Sequence, residues 1–431
     1  MVCNNLTVGE NGHLYFAGLD TVDLAARYGT PTYFMDEDKI RENCRVYRET
    51  LRECFGEHAL PLYASKAFSV KQMYRILKEE QMGIDVVSPG EIYTASAAGF
   101  PMDRAFFHGN NKTDDEIAYA MDKQIGYFIV DNFDELAAVQ KEAAKRGITQ
   151  KILLRVTPGI DPHTHQKIST GNVDSKFGVA MQTGQALEFV KQALSMDNLS
   201  LRGFHCHVGS QLFDIEPLRE AGRTMVRFAC EAKDRFGYSV QLLDLGGGLG
   251  VRYVDSDPEI DLAASIREIA DVVKAECAAC GLDVPAIMME PGRSIVADAG
   301  LTLYTVGSKK EISGIKNYVS IDGGMTDNPR YTLYSSDYTV LNAGKMHEPA
   351  DYVCSVAGKC CESGDLIQEG VHIATPERGD LLAVCTTGAY NYSMSSNYNA
   401  IPRPPVVMIR QGEAYVAVER ETFDDMLACQ K

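Results

Sequence analysis

Short apolar runs alternate with longer amphipathic segments between residues 60 and 290, and this alternation constrains the fold more than any other feature of the sequence. Buried parallel strands read as short continuous apolar runs, and the helices that cross between them read as amphipathic segments. Eight strands in regular alternation predict a closed (β/α)8 TIM-type barrel rather than an open doubly wound sheet. The eight runs are 60–63, 84–87, 105–108, 127–130, 152–155, 203–206, 242–245 and 286–289.

The chain of 431 residues is longer than a barrel of about 250 residues requires, so a second folded region is expected. Beyond residue 300, β-rich runs are separated by Gly, Asp, Asn and Pro, which is typical of an antiparallel sheet or β-sandwich. The opening segments 13–16 and 31–34 also have strand character. We therefore predict N-terminal strands (1–35) that join the β-domain, a barrel (36–300), and a C-terminal β-domain (301–431).

The charge balance excludes one class of partner. Lys and Arg number 42 against 59 Asp and Glu, giving a net charge of -17, which repels nucleic-acid phosphates. No apolar stretch of about 18 residues is present, so no membrane span is expected. The N-terminus lacks the basic and apolar regions of a secretory signal, so we predict a cytoplasmic protein with reduced cysteines. Cys277 and Cys280 form a CxxC pair, but the sequence contains no second such pair to complete a set of metal ligands. We therefore predict no metal site.

Chemically capable residues follow several of the predicted strands. In a TIM-type barrel the C-terminal ends of the strands form the active-site face. The glycine-rich turn 246–250 is no dinucleotide fingerprint, because Val251 stands where the third glycine is needed. Such a turn does let backbone N–H groups approach a single phosphate closely. The other residues at these strand ends are Lys66, His205, His207, Ser210, Glu290, Pro291, Gly292 and Arg293.

Seven motifs, in order through nearly the whole chain, resemble those of a known enzyme family. YASKAF around Lys66, HVGSQ from His207, GGGLG from Gly246 and EPGR from Glu290 resemble barrel-type decarboxylases that depend on pyridoxal 5′-phosphate (PLP) and share the alanine racemase-like fold. The C-terminal motifs narrow the resemblance to the diaminopimelate decarboxylase family. They are DGGMTDNPR ending at Arg330, CESGD from Cys361 and GAYNYSMSSNYN from Gly388.

The resemblance implies that PLP is the cofactor and that the barrel binds it. Lys66 would form a Schiff base with the cofactor aldehyde. Glu290 would contact the pyridine nitrogen and keep it protonated, and His207 would stack on the ring face. Asp85 and Arg155 are further candidates at its periphery. The phosphate would be bound by Ser210, Gly247, Gly248, the segment Glu290, Pro291, Gly292 and Arg293, and the hydroxyl of Tyr390.

The resemblance also implies decarboxylation of meso-2,6-diaminopimelate to L-lysine and CO2, the last step of lysine biosynthesis. This substrate has an amino-acid group at each end, and guanidinium is the natural bidentate partner of its distal carboxylate. Cys361 would donate a proton after CO2 leaves, and Glu362 would meet the distal ammonium. Both would come from the second subunit of a homodimer. The remaining substrate contacts implied are Arg293, Arg330, Tyr334 and Tyr390.

Enzymes related to this family are the alternatives to diaminopimelate decarboxylation. Decarboxylases of ornithine, arginine or carboxynorspermidine, and alanine racemase, share the barrel and the lysine. Arg330 and Glu362 favour a substrate with a distal carboxylate, whereas a racemase would use a second base and lack CESGD. A non-catalytic PLP-binding homologue would be expected to lose Lys66, Cys361 or the phosphate contacts, and all of them are present.

Overall fold

The computed structural model describes residues 1–160 and 174–431. Within these residues the chain forms two compact units. The barrel unit consists of Asn43–Gly250 and Ile260–Gly292, and the sheet unit consists of Met1–Glu42, Val251–Glu259 and Arg293–Lys431. The chain therefore leaves the barrel unit for the short segment Val251–Glu259 and then returns to it.

The barrel unit contains a closed parallel barrel, which confirms the predicted fold class. Its first strand pairs with its eighth through Leu60 and Met288, and its fourth pairs with its fifth through Phe128 and Ile152, so the ring has no open edge. A short strand, Val179–Ala180, pairs in parallel with the end of the fifth strand. The eight strands are Leu60–Ala64, Gly83–Val86, Ala105–Phe107, Tyr127–Val130, Gln150–Thr157, Leu199–His205, Leu242–Asp244 and Ala286–Met289.

Helices follow the strands, and local signals in the sequence set their ends. Thr113 and Glu116 form a capping box at the N-terminus of one helix. The side chains of Ser88 and Asn132 cap the N-termini of the helices before and after it. Within the described part of the chain, no helix combines the length and apolar character that crossing a lipid bilayer requires. The first boundary between the units falls within the helix Glu37–Phe55. The other helices of the barrel unit are Lys71–Glu79, Pro89–Ala97, Asp114–Asp122, Phe133–Arg146, Gln185–Leu194, Glu216–Phe236 and Leu262–Cys280.

The barrel interior is closed by apolar side chains at one level. Leu62, Phe106, Ile129, Leu153 and Met288 form a buried cluster contributed by five strands. The ring of Phe106 also stacks on Tyr127, with centroids 4.3 Å apart. Side chains fill such a barrel in layers, so this apolar layer leaves the polar chemistry to the carboxyl ends of the strands.

The sheet unit is built on one nine-stranded sheet that is mixed rather than purely antiparallel. Lys316–Ile321 runs parallel to Tyr352–Ala357, and Thr32–Asp36 runs parallel to Val406–Arg410. Parallel neighbours need long connections, and these pairs are far enough apart in sequence to supply them. The other pairings in this sheet are antiparallel, as predicted. The other strands of this sheet are Gly300–Ile312, Val340–Asn342, Leu366–Ile373, Leu381–Cys385 and Glu413–Val418.

The N-terminal strands divide between two sheets. Thr32–Asp36 pairs with Gly300–Ile312 inside the nine-stranded sheet. Leu14–Phe16 pairs instead with Leu6–Val8 and Leu19–Asp20 in a separate three-stranded sheet, which the helix Thr21–Tyr28 follows. Three short helices complete the unit: Arg293–Val296, Arg330–Tyr334 and Phe423–Leu427.

Candidate active site

Five buried titratable side chains meet at the carboxyl ends of the barrel strands. They are Asp85, His108, His205, Asp244 and Glu290. Each one lies in the last residues of a strand or directly after it. Because parallel strands end on the same rim, residues far apart in sequence converge there. We call these five residues the rim cluster.

Glu290 lies at the centre of the rim cluster. Its Oε1 is 3.0 Å from Nε2 of His108, and its Oε2 is 3.3 Å from Nε2 of His205. Burial opposes ionisation, but the two histidines outweigh it and lower the pKa of Glu290 well below its usual value. Burial also lowers the pKa of His205 to about 4, so this imidazole is neutral at pH 7 and Nε2 donates to Glu290. Glu290 is therefore an ionised carboxylate.

The other two acids of the rim cluster behave in the opposite way. Burial, followed by the charge of Glu290, raises the pKa of Asp244 well above its usual value. Burial likewise raises the pKa of Asp85, although His108 counteracts it. Oδ1 of Asp244 accepts a hydrogen bond of 3.0 Å from the backbone N–H of Gly246. The rim cluster thus concentrates negative charge on Glu290 and favours the protonated forms of Asp85 and Asp244.

Glu290 fits the protonated ring nitrogen of PLP. Despite its closeness to His108, Oε1 is a buried oxygen that accepts no hydrogen bond with adequate geometry from the described residues. A carboxylate oxygen of this kind accepts an N–H donor well. Three possible metal ligands, on His108, His205 and Glu290, also lie within 4.8 Å of one another. The expectation of no metal therefore remains a prediction.

Lys66 and His207 lie at the same ends of the barrel strands. Lys66 occupies the turn Ser65–Ala67 directly after the first strand, and its side chain is exposed between buried neighbours. His207 is half-buried, and its Nδ1 accepts a hydrogen bond of 3.4 Å from the N–H of Gly247. Burial, and then the charge of Lys66, lower the pKa of His207 well below its usual value. A neutral, oriented imidazole is suited to stacking on an aromatic ring.

The glycine turn is packed too closely for any side chain. A Cβ atom on Gly247 would lie 2.0 Å from the carbonyl oxygen of Glu290, and one on Gly248 would lie 2.5 Å from that of Gly209. Gly248 also has φ +135°, a backbone conformation that favours glycine. Ser210 follows Gly209 and is half-buried. The geometry thus provides the bare backbone that the sequence predicted for phosphate binding.

Gly247→Ala is expected to lower the free energy of unfolding by about 1–3 kcal/mol, because a backbone carbonyl cannot rotate away from the new methyl group. Denaturant unfolding of the variant would measure this loss. Gly90→Ala is the matched control, since its Cβ would meet nothing closer than Ser88 Oγ at 3.6 Å. Equal stability of Gly247→Ala and wild type would contradict the close packing described here.

Arg155 contacts side chains that do not belong to the rim cluster. Its Nε lies 3.8 Å from Oδ1 of Asp131, and its guanidinium carbon lies 4.4 Å from the ring centroid of Phe177. Asp85, by contrast, belongs to the rim cluster, with its Oδ1 3.8 Å from His108 Nε2. Asp85 is therefore the better supported of the two peripheral candidates.

The sheet unit brings two arginines to the same aromatic rings. Arg293 and Arg330 are both buried, and each begins a short helix. Their guanidinium carbons lie 4.9 and 5.6 Å from the ring centroid of Tyr390, and 5.7 and 5.6 Å from that of Tyr253. Arg330 also lies 5.7 Å from the ring of Tyr334. Four residues predicted from the sequence therefore come together, and Tyr253 joins them.

Arg330 forms no ion pair with a carboxylate in residues 1–160 and 174–431. Its Nη2 donates to Ser336 Oγ at 3.1 Å, whereas its buried Nε has no hydrogen-bond partner there. A buried charge without an opposite charge is unfavourable. Arg330 is therefore suited to an anion that arrives from solution.

Cys361 and Glu362 are exposed on the loop between Tyr352–Ala357 and Leu366–Ile373. The carboxylate of Asp365 is buried beneath them and accepts hydrogen bonds from the N–H groups of Met325 at 2.5 Å and Cys360 at 2.7 Å. The N–H of Cys361 donates to Asn399 Oδ1 at 2.7 Å. These contacts hold the loop so that the thiol and the carboxylate face outward.

Sequence patterns missed several residues of the site. His108 and Asp244 lie at strand ends, and that position was the available signal for both. Tyr253 comes just after the glycine turn, whereas Tyr338 lies in a loop without a recognisable motif. Tyr338 is buried, its ring centroid is 5.4 Å from that of Tyr253, and burial raises its pKa to about 12.

Known proteins resemble the chain over nearly its whole length. The family model described as "Pyridoxal-dependent decarboxylase, pyridoxal binding domain" matches residues 37–297. A diaminopimelate decarboxylase of Bacillus subtilis is 44% identical over 97% of this chain and 95% of its own, and one from Mycobacterium tuberculosis is 38% identical over 98% and 96%. A solved diaminopimelate decarboxylase from M. jannaschii in complex with L-lysine has a TM-score of 0.92 and 34% identity, and covers 100% of this chain and 98% of its own.

Proposed function

Because this chain belongs to the diaminopimelate decarboxylase family, we propose that it converts meso-2,6-diaminopimelate to L-lysine and CO2 with PLP as cofactor. The observation that carries the proposal is the ionised Glu290, enclosed by two histidines on the strand ends that also present Lys66. Relatives of this name, at 38–45% identity over nearly the full chain, support the choice of substrate. The step completes lysine biosynthesis.

Bound PLP supplies an aromatic ring that takes up the electron pair left when the bond to CO2 breaks. Lys66 would hold the cofactor through its Nζ. Glu290 would keep a proton on the ring nitrogen, and His207 would stack on the ring. The backbone of Gly247 and Gly248 binds the phosphate, together with Ser210, residues 290–293 and the hydroxyl of Tyr390.

The substrate contacts follow from charge. Arg330 and Arg293 bind the distal carboxylate with help from Tyr334 and Tyr390, and Glu362 binds the distal ammonium. The thiol of Cys361 donates a proton to the carbon that has lost CO2. A distal carboxylate is what separates this substrate from ornithine and arginine. The buried Arg330, which has no acidic partner among the described residues, supports that choice.

The proposed substrate is tested by incubating the holoenzyme with meso-diaminopimelate, ornithine or arginine in parallel. We expect CO2 and an equal amount of L-lysine from diaminopimelate, with at most trace turnover of the other two. Faster turnover of ornithine or arginine would refute the substrate, and a PLP-loaded protein inert toward all three would refute the reaction.

We further propose a homodimer in which each subunit lends Cys361 and Glu362 to the other. Their outward-facing positions support this arrangement. Cys361→Ala and Lys66→Ala homodimers should both be inactive. After the two variants are mixed and allowed to exchange subunits, activity should return to about a quarter of wild type, because half of the dimers then carry one intact site. A mixture that stays inactive despite demonstrated exchange would contradict shared sites.

The proposed location is the cytoplasm. The twelve cysteines are reduced thiols in the structure, and this fits a reducing compartment. A reducing environment also keeps the thiol of Cys361 available as a proton donor.

A further inference from the structure

Tyr253 is firmly held within the sheet unit. Its backbone N–H donates to Asp257 Oδ2 at 2.9 Å, and its carbonyl oxygen accepts from the backbone N–H and the hydroxyl of Thr339 at 3.2 and 2.9 Å. The edge of the Tyr338 ring packs against the Tyr253 ring, and Tyr253 as a whole is only 5% exposed. The backbone anchors and the ring contact together fix the direction of this side chain.

The hydroxyl of Tyr253 accepts a short hydrogen bond from a charged donor. Nη1 of Arg293 lies 2.7 Å from this oxygen, and both groups are buried. Hydrogen bonds to a charged group are stronger and more directional than neutral ones. Because a guanidinium is planar and rigid, fixing one of its nitrogens limits the directions in which the others can point.

The ring of Tyr253 also lies close to the second arginine, Arg330. The guanidinium carbons of Arg293 and Arg330 lie 5.7 and 5.6 Å from its centroid, within the range of cation–π attraction. Two cations buried near the same ring repel each other, and an aromatic ring offsets part of that repulsion without neutralising either charge. Both guanidiniums consequently keep their attraction for an incoming anion.

We propose that Tyr253 is a positioning residue that sets the orientation of Arg293 and Arg330 for binding the distal carboxylate of the substrate. The inference rests on the proposed function for the identity of the carboxylate. Tyr253 acts through the two arginines and takes no part in the bond cleavage. Its loss should therefore weaken binding and leave the chemical step nearly intact.

Tyr253→Phe removes the hydroxyl and keeps the ring. In the holoenzyme, we expect KM for meso-diaminopimelate and Kd for L-lysine, measured by calorimetry, both to rise about tenfold through loss of a charged hydrogen bond. Turnover should stay within about twofold, because uniform binding affects KM alone. Tyr253→Leu also removes the ring and should raise both constants further.

Tyr28→Phe is the matched control, since its hydroxyl donates to the Ala414 carbonyl at 2.9 Å in the same unit. It should leave KM and Kd unchanged. Unchanged KM and Kd in Tyr253→Phe would overturn the positioning role. So would a loss confined to the melting temperature or PLP content, because that would make Tyr253 purely structural. Failure of the wild type to decarboxylate diaminopimelate would instead refute the proposed function, and the lysine Kd of the variant would still test Tyr253.

Discussion

Lys66→Ala is expected to lower turnover by at least about 10⁴-fold, because the variant loses the amine that we propose holds the cofactor and aligns it with the substrate. The structure places this side chain in an exposed position on a turn whose neighbours Ser65, Ala67 and Phe68 are buried. Removing it should therefore leave the fold intact. The purified variant should also lack the absorbance band of a lysine-bound pyridoxal cofactor.

Lys71→Ala is the control for this experiment. Lys71 is an exposed lysine at the start of the following helix, and its removal should change neither the absorbance nor the turnover. Persistence of the lysine-bound absorbance band in Lys66→Ala would show that another amine holds the cofactor.

Glu290→Gln should lower turnover much more than Asp244→Asn, although both remove a carboxyl group from the rim cluster. Glu290 is ionised, because His108 and His205 outweigh its burial, so glutamine deletes a negative charge where we propose that the ring nitrogen binds. Turnover should fall by about 10²–10³-fold, the usual scale for loss of one preorganised electrostatic contact. Burial, followed by the charge of Glu290, raises the pKa of Asp244 well above its usual value, so asparagine removes less negative charge there than glutamine removes at Glu290. Turnover of Asp244→Asn should stay within about tenfold of wild type.

The two variants are compared at saturating PLP and substrate, with melting temperatures recorded to exclude unfolding. Equal losses in Glu290→Gln and Asp244→Asn would contradict the distribution of charge described for the rim cluster. A rise in turnover on protonation of Glu290 at low pH would contradict it as well.

The barrel could be predicted because its strands are buried on both faces and therefore appear as continuous apolar runs. All eight predicted runs overlap observed strands. The strand Leu366–Ile373 has no clear strand pattern in the sequence, because Gln368, Glu369 and Gly370 interrupt its apolar residues. The parallel pairs of the sheet unit were also missed, since pairing between segments far apart in sequence leaves no local pattern.

Some residues of the candidate site could likewise be predicted from the sequence, and others could not. Family motifs identified Lys66, Glu290 and Arg330, and these roles stay predictions until variants are tested. His108 and Tyr253 lie outside those motifs and gain importance only from what they contact. Ionisation is also a tertiary property, because the opposite pKa shifts of Glu290 and Asp244 depend on neighbours contributed by other strands.

The interleaved path of the chain limits how such a protein can be rearranged by recombination. The sheet unit is assembled from three separate stretches of sequence, and the shortest, Val251–Glu259, carries Tyr253. Dividing the gene after the barrel would separate residues 1–42 and 251–259 from residues 293–431, with which they form the sheet unit. New substrate preferences are therefore more readily acquired by point substitution around Arg293 and Arg330 than by exchanging whole domains.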